Sequence, residues 1–231
     1  MDKDYYEEHI IKDGHLSNPI YKVVPENSDK KVFNNLIKLI EKYKSNLTKK
    51  EIDYITNYKW TTSQFKCLPK IHKCKSIQEK YENCSSDIIN ILRPKDLKGR
   101  PIVAGPESPT QRLSSLIEKI LTPIVSKLTT YIKDDWDFIR KLPKNIEYDA
   151  TLYSCDIESL YTSIPIELGL KAIEYWIDEE SNLISIRFSK EFILVSLEFI
   201  LRNNNFKFDN LIYNQTEGTA MGTSALPPML V

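Results

Sequence analysis

No stretch of the chain approaches 18 consecutive apolar residues, and its opening, Met1-Asp2-Lys3-Asp4, is acidic and polar. Neither a membrane-spanning helix nor a secretory signal is therefore expected. Cysteine is scarce. Cys67, Cys74, Cys84 and Cys155 form no tight pairing pattern, which suits free thiols in a reducing compartment, inside the cell in nucleus or cytoplasm. Cys67, His72, Cys74 and Cys84 also miss the usual ligand spacings of structural zinc, so no zinc site is expected. Net charge is absent as well, with 32 Lys+Arg against 32 Asp+Glu.

That zero hides a partition. Residues 30–133 hold 21 Lys+Arg against 9 Asp+Glu, residues 134–231 hold 8 against 16, and residues 1–29 hold 3 against 7. A basic region beside an acidic one suits a phosphate-holding surface next to a metal-collecting carboxylate site. Lys-rich helices that are merely solvated would give the same counts. With 41% hydrophobic and 28% charged residues in 231, the chain is long enough for one large domain or two small ones with a real core.

Residues 1–27 carry few periodic apolar positions and read as a poorly ordered lead-in, placed at 1–29. Ser28 is positioned to cap a helix over about 30–43. Thr48 and Glu51 have capping-box spacing for a second helix, to about Asn57. Phe65-Lys66-Cys67-Leu68-Pro69-Lys70 and Lys98-Gly99-Arg100-Pro101-Ile102-Val103 read as two short cation-bearing strands. Their prolines confine them to edges or bends, and together they form a projecting hairpin. Between them, Cys74 to Lys98 reads as a hydrophilic loop.

Ser108-Pro109-Thr110-Gln111 opens the strongest periodic run, from Leu113 to Ile132, a long amphipathic helix with a kink at Pro123. Leu152-Tyr153-Ser154-Cys155 reads as a strand that delivers Asp156 to its end, with Tyr161 five residues later. Such a carboxylate is what a two-Mg²⁺ nucleotidyl transferase presents, although an Asp closing a strand before a turn is common in any fold. A helix from Ile164-Pro165 turns Leu168, Ala172, Ile173 and Trp176 inward. A nearly all-apolar helix over 189–202 should lie buried beneath the sheet. Phe206-Lys207-Phe208 and Leu211-Ile212-Tyr213 alternate as a hairpin. Gly218 and Gly222 lie in a loop whose backbone can approach a ligand closely.

Leu68-Pro69-Lys70-Ile71-His72-Lys73, Arg100-Pro101-Ile102-Val103, Ser108-Pro109-Thr110, Asp156 through Tyr161-Thr162-Ser163-Ile164-Pro165, and Gly218-Thr219-Ala220-Met221-Gly222-Thr223 follow one another in order. In that order they resemble the reverse transcriptases of Penelope-like elements. The first two also look like the finger motifs of telomerase reverse transcriptase, to which that family is related. The resemblance covers about residues 30–231. It implies an α+β right-hand polymerase, with fingers over 30–147, a partial palm over 148–231, and helices packed on a small antiparallel sheet.

By the same resemblance, Asp156 would bind both Mg²⁺ ions with help from the Ile157 carbonyl. Tyr161 would sit under the incoming sugar and reject a 2′-hydroxyl. Lys70 and Arg100 would hold the triphosphate, and Met221 and Gly222 would position template base and nucleotide. The implied partners are an RNA template, a DNA primer and deoxynucleoside triphosphates, with no membrane. The family's further palm motif, an aromatic residue, any residue, then two aspartates, does not occur in these 231 residues. Without a second ligand set the chain alone is expected to be inactive in an RNA-directed DNA polymerase reaction. Two other readings stay open: a non-catalytic nucleic-acid-binding remnant of such an element, and a structural or interaction domain.

Overall fold

A computed structural model of the chain describes residues 2–84, 88, 90–157 and 159–220. The chain opens with a helical turn, Lys3–Tyr5, that runs on as a π-helix over Tyr6–Leu16 (together α1) and leads into strand β1, Tyr21–Val24. Helices α2 (Ser28–Lys42) and α3 (Lys49–Thr56) follow, then strand β2 (Ser63–Pro69), helix α4 (Lys75–Glu82) and strand β3 (Gly99–Ala104). A helical stretch comes next: α5 (Gln111–Val125), α6 (Asp135–Lys141), α7 (Leu160–Ser163), α8 (Ile166–Glu179) and α9 (Lys190–Arg202). The hairpin of β4 (Asn204–Phe208) and β5 (Leu211–Gln215) completes the order.

The fold is α+β. Its five strands form one sheet in the order β1-β5-β4-β2-β3. The sheet is mixed rather than antiparallel throughout, because β2 and β4 run parallel through Ser63↔Phe206 and Gln64↔Lys207. The reason is the connection: the chain between them passes through the whole helical layer, and such a crossover returns a strand in the same direction. One sheet thus joins β1 from the first 29 residues, β2 and β3 from residues 30–147, and β4 and β5 from residues 148–231.

Residues 2–29 carry α1 and β1 and pack into the molecule, where the sequence suggests a poorly ordered lead-in. Three contacts hold α1 against the segment before β3: the Tyr5 hydroxyl donates to the Pro94 carbonyl, Arg93 pairs with Asp2, and His9 Nε2 lies 3.1 Å from the Lys95 carbonyl. The Tyr6 hydroxyl serves the sheet itself. It accepts from the Cys67 N–H at 2.8 Å and donates to the Cys67 carbonyl at 2.7 Å, on the flank of β2 beyond the two residues that pair with β4. One phenol therefore satisfies both backbone groups that the short parallel ladder leaves open.

Alternation separates the two faces of the sheet. Tyr21, Phe65, Cys67, Val103 and Phe206 point to one side and form an apolar core with Tyr5, Ile11, Cys74 and Leu97. Ring contacts knit it together, with Tyr213 stacked on Phe206 at 5.6 Å and Tyr21 edge-on to Phe206 at 5.6 Å. A second core is purely helical: Leu36, Ile40, Ile55, Leu113, Ile117, Leu121, Ile173, Phe192, Ile193 and Leu197. Helix α9 lies in this second core, packed on α5 and α8, and not beneath the sheet. An apolar circumference demands burial, but helices on several sides satisfy that demand as well as a sheet does.

Local signals govern several boundaries. Thr48 and Glu51 form the expected capping box on α3, and the Ser189 hydroxyl caps α9 by accepting from the Phe192 N–H at 3.2 Å. Thr110 rather than Ser108 is the N-cap of α5. That helix ends at Val125, short of Ile132, two residues after the internal Pro123. The stretch from Cys74 to Lys98 is not all loop, since it contains α4, braced by Asp96, which accepts from the Ser76 hydroxyl at 2.6 Å and the Cys74 thiol at 3.3 Å. In α8 the inward side chains are Ile166, Ile173 and Ile177, whereas Leu168 and Ala172 are exposed.

Candidate functional site

The two cation-bearing strands pair as the sequence suggests, but only β3 is an edge: β2 lies inside the sheet between β4 and β3, so the pair does not project. β2 and β3 pair antiparallel, with Leu68↔Arg100 and Pro69↔Gly99 in register, and the Lys70 N–H donates to the Lys98 carbonyl at 2.8 Å. Edge strand β3 tolerates Pro101, which has no N–H to give. The backbone thus brings Lys70 and Arg100 to one end of the hairpin. Their charges act on different surroundings. Arg100 projects, exposed, from the face opposite the apolar core. Lys70, half-buried, lies within electrostatic reach of His15 and Cys67 on the covered side. Burial lowers the pKa of His15, and the Lys70 charge pushes the same way while a contact with the Gly99 backbone opposes it. Burial pushes the Cys67 thiol up to about 11, with Lys70 acting against that rise.

A second junction joins two motif stretches 58 residues apart. α7 places Tyr161 and Thr162 against Gly218 and Thr219: the Thr219 N–H donates to the Tyr161 carbonyl at 2.6 Å, and Thr219 is 2% exposed. Gly218 makes this possible. Its φ is +69°, and a Cβ there would stand 2.3 Å from the Tyr161 carbonyl oxygen and 2.7 Å from the Thr162 Cα. The close approach that glycine permits is made to the chain's own backbone.

Asp156 does not sit at the end of a strand. Residues 151–157 lie outside regular secondary structure, and Leu152 (93%), Tyr153 (83%) and Ile157 (64%) are exposed together with Asp156. Its apolar composition gives the segment the capacity to be a strand, but a strand exists only with a hydrogen-bonding neighbour. The sheet here already closes on β1 and β3 as its edges. Met221 and Gly222 lie outside the described residues.

The donor set does not fit a pair of Mg²⁺ ions. Among the described residues no group of three His, Cys, Asp or Glu side chains is arranged to hold a metal. A lone exposed carboxylate cannot gather two divalent cations about 4 Å apart against their repulsion.

A crevice lies elsewhere, where the starts of β2 and β4, the end of β3 and the start of α5 meet. It is small, with a cavity volume of about 20 Å³, and is lined by Asp29, Ser63, Gly105, Thr110, Asn203, Asn204 and Asn205, among others. Asp156, Tyr161, Lys70 and Arg100 are not among its lining residues. Asp29 is its notable member, 4% exposed in the first turn of α2. Its Oδ1 accepts from the Asn205 amide at 2.9 Å, and its Oδ2 has no hydrogen-bond partner among the described residues. Sequence reasoning passed over this carboxylate because an Asp in a first helical turn is explained by the helix dipole alone.

No family model matches the chain, and comparisons with curated proteins and with solved structures find no match either. No helix among the described residues is long and apolar enough to cross a membrane.

Proposed function

We propose that the chain is the fingers and the start of the palm of an RNA-directed DNA polymerase of the reverse-transcriptase type, belonging to an intracellular retroelement. One observation carries the reading: Tyr161 and the start of the loop motif from Gly218, two stretches that the sequence resemblance assigns to one nucleotide site, are bound together by the Thr219 N–H and the Tyr161 carbonyl. In this reading Arg100 offers a bidentate fork and Lys70 a point charge to a triphosphate, and the Tyr161 ring bears on the sugar. Mg²⁺ would supply activation of the attacking oxygen and charge neutralisation at the leaving oxygen. Asp156 and the Ile157 carbonyl are the ligands assigned in this chain, and they do not suffice. The 231-residue chain therefore adds no nucleotides by itself.

Equilibrium titration with a deoxynucleoside triphosphate and its ribonucleotide counterpart tests the reading. Binding of the deoxynucleotide, weakened at least tenfold by Arg100→Ala or Lys70→Ala, with Tyr161→Ala narrowing the preference over the ribonucleotide, is the expected outcome. Unchanged affinity in all three variants would overturn the assignment. Mg²⁺-dependent primer extension on an RNA template by the chain alone would overturn its inactivity. A second reading is a non-catalytic nucleic-acid-binding remnant, with which the lack of a three-residue metal-ligand group among the described residues is compatible. It predicts nucleic-acid binding without any nucleotide affinity.

A further inference from the structure

The crevice beside Asp29 lies on a seam of the fold. Asp29 stands in the first turn of α2 and Thr110 caps α5, two helices of the helical core, while Ser63, Asn204 and Asn205 begin β2 and β4 in the sheet. All five are more than nine-tenths buried.

Their polar atoms divide by kind. The Asn204 amide N–H donates to the Leu201 carbonyl at 3.0 Å and the Asn205 amide N–H to Asp29 Oδ1 at 2.9 Å, so both NH₂ groups serve the fold itself. What is left over is oxygen: Asp29 Oδ2, the Asn204 amide oxygen and the hydroxyls of Ser63 and Thr110, none of which takes part in a hydrogen bond among the described residues. Gly105 preserves the place of one of them, because a Cβ at that position would stand 2.1 Å from the Ser63 hydroxyl oxygen. No lysine, arginine or histidine lines the crevice, and Asp29 forms no ion pair among the described residues.

Charge and size together select a ligand. A carboxylate at this depth needs a compensating positive charge, of which the positive end of α2 supplies only a fraction. A cavity of about 20 Å³ accepts one particle the size of a water molecule, since about 10–15 Å³ suffices for one. Mg²⁺ keeps several of its waters and would need more room, and Ca²⁺ takes about 6–8 oxygens with carboxylates prominent among them. Zn²⁺ favours nitrogen and sulfur, and neither histidine nor cysteine lines the crevice.

We propose that the crevice binds one dehydrated monovalent metal cation, K⁺ or Na⁺, seated on Asp29 Oδ2 and the neutral oxygens of Ser63, Thr110 and Asn204. Bound there, the ion pins the helical core, through α2 and α5, to the sheet, through β2 and β4. The site stands apart from the nucleotide reading above, because Asp156, Tyr161, Lys70 and Arg100 do not line the crevice and no Mg²⁺ enters it.

The test is urea unfolding of the full chain over a range of KCl or NaCl concentrations, with ionic strength held constant by tetramethylammonium chloride, whose cation is too large for the cavity. An ion that binds only the folded chain stabilises it with the logarithm of its concentration, so log unfolding constant against log K⁺ or log Na⁺ should fall with a slope approaching about −1, one ion per chain. Asp29→Asn keeps the oxygen that Asn205 bonds and removes the charge, and its slope should be near zero. In tetramethylammonium chloride alone this variant should be at least as stable as the parent, which then carries an uncompensated buried charge; an aspartate with a merely structural role would not give that crossover. Ser63→Ala keeps the charge and should retain the slope, with its onset at about fivefold higher cation concentration. Equal stability of the parent in all three salts would mean that water alone serves Asp29 and would overturn the proposal, as would an unaltered slope in Asp29→Asn. An Asp29-dependent stabilisation that CaCl₂ or MgCl₂ gives at lower concentration than KCl and NaCl would overturn the monovalent assignment.

Discussion

Replacing Gly218 with alanine should open the junction between Tyr161 and Thr219 while leaving the two cores intact. The φ of +69° costs a non-glycine residue about 1–2 kcal/mol. The new Cβ would also meet the Tyr161 carbonyl oxygen at 2.3 Å and the Thr162 Cα at 2.7 Å. Both are backbone atoms of α7, so no rotamer change relieves them, and the strands of chain must part. Parting them gives up the Thr219 N–H to Tyr161 carbonyl bond, worth about 1 kcal/mol net. Together these effects amount to about 3 kcal/mol, enough to raise amide exchange at Thr219 by roughly a hundredfold at 1.4 kcal/mol per decade.

Native-state hydrogen exchange at the Thr219 amide reads this opening directly, and amides in α5 and α9 serve as internal controls. A Gly218→Ala protein whose Thr219 protection stays within a factor of about three of the parent would show that the junction does not rest on glycine. In the polymerase reading the same variant should also lose discrimination between deoxy- and ribonucleotides, since it releases the segment carrying Tyr161.

Three further outcomes follow from named contacts. Arg187 grips Glu51 with Nη1–Oε2 at 2.6 Å and Nη2–Oε1 at 2.7 Å, and this guanidinium holds the Glu51 carboxyl at about 2. The folded-state value lies below the ordinary 4.5, so the stabilisation is present above pH 4.5 and fades as pH falls towards 2. After screening at a partly exposed site it amounts to about 1–2 kcal/mol, and a urea midpoint shift in Glu51→Gln at pH 7 that vanishes near pH 2 checks it. Tyr6→Phe leaves the Cys67 N–H and carbonyl without their shared partner and should cost about 1–3 kcal/mol in a thermal or urea melt. Limited chymotrypsin digestion should cut first at Tyr148 and Tyr153, which are 107% and 83% exposed outside regular structure, before any site in α9 is attacked.

Elements whose signal is local were legible from residue order. The β4–β5 hairpin follows from alternation around an Asp209-Asn210 turn, where Asp209 adopts a φ of +54°. The Thr48 and Glu51 box and the Ser189 cap follow from spacing alone. The first residues escaped because what they give the core is scattered: Tyr5, Ile11 and Tyr21, with Tyr6 packed on them, make no periodic stripe. Tyr6 and Tyr5 are fixed by hydroxyl bonds to carbonyls 61 and 89 positions away. Sequence patterns hold no record of such partners. Leu152–Cys155 failed in the opposite way: its apolar, strand-like composition is genuine, and pairing, which composition cannot supply, is what the described fold does not give it.

Charge behaves like pairing. Counting by segment places the basic surplus in residues 30–133 and makes both flanks acidic. Yet two of the four exposed cations on the sheet face opposite the apolar core (Lys22, Lys66, Arg100 and Lys207) come from those acidic flanks, Lys22 and Lys207, because β1 and β4 enter the same sheet as β2 and β3. The acids of the flanks are carried off elsewhere. Glu167 and Glu198 pair with Arg202, Asp178 and Glu174 with Lys190, and Glu191 with Lys42. A surface field is set by which residues the sheet register puts side by side, and segment totals average over that sorting. The basic face is therefore a property of the register, and a one-residue slip of β4 would turn Lys207 into the apolar core and Phe206 out into water.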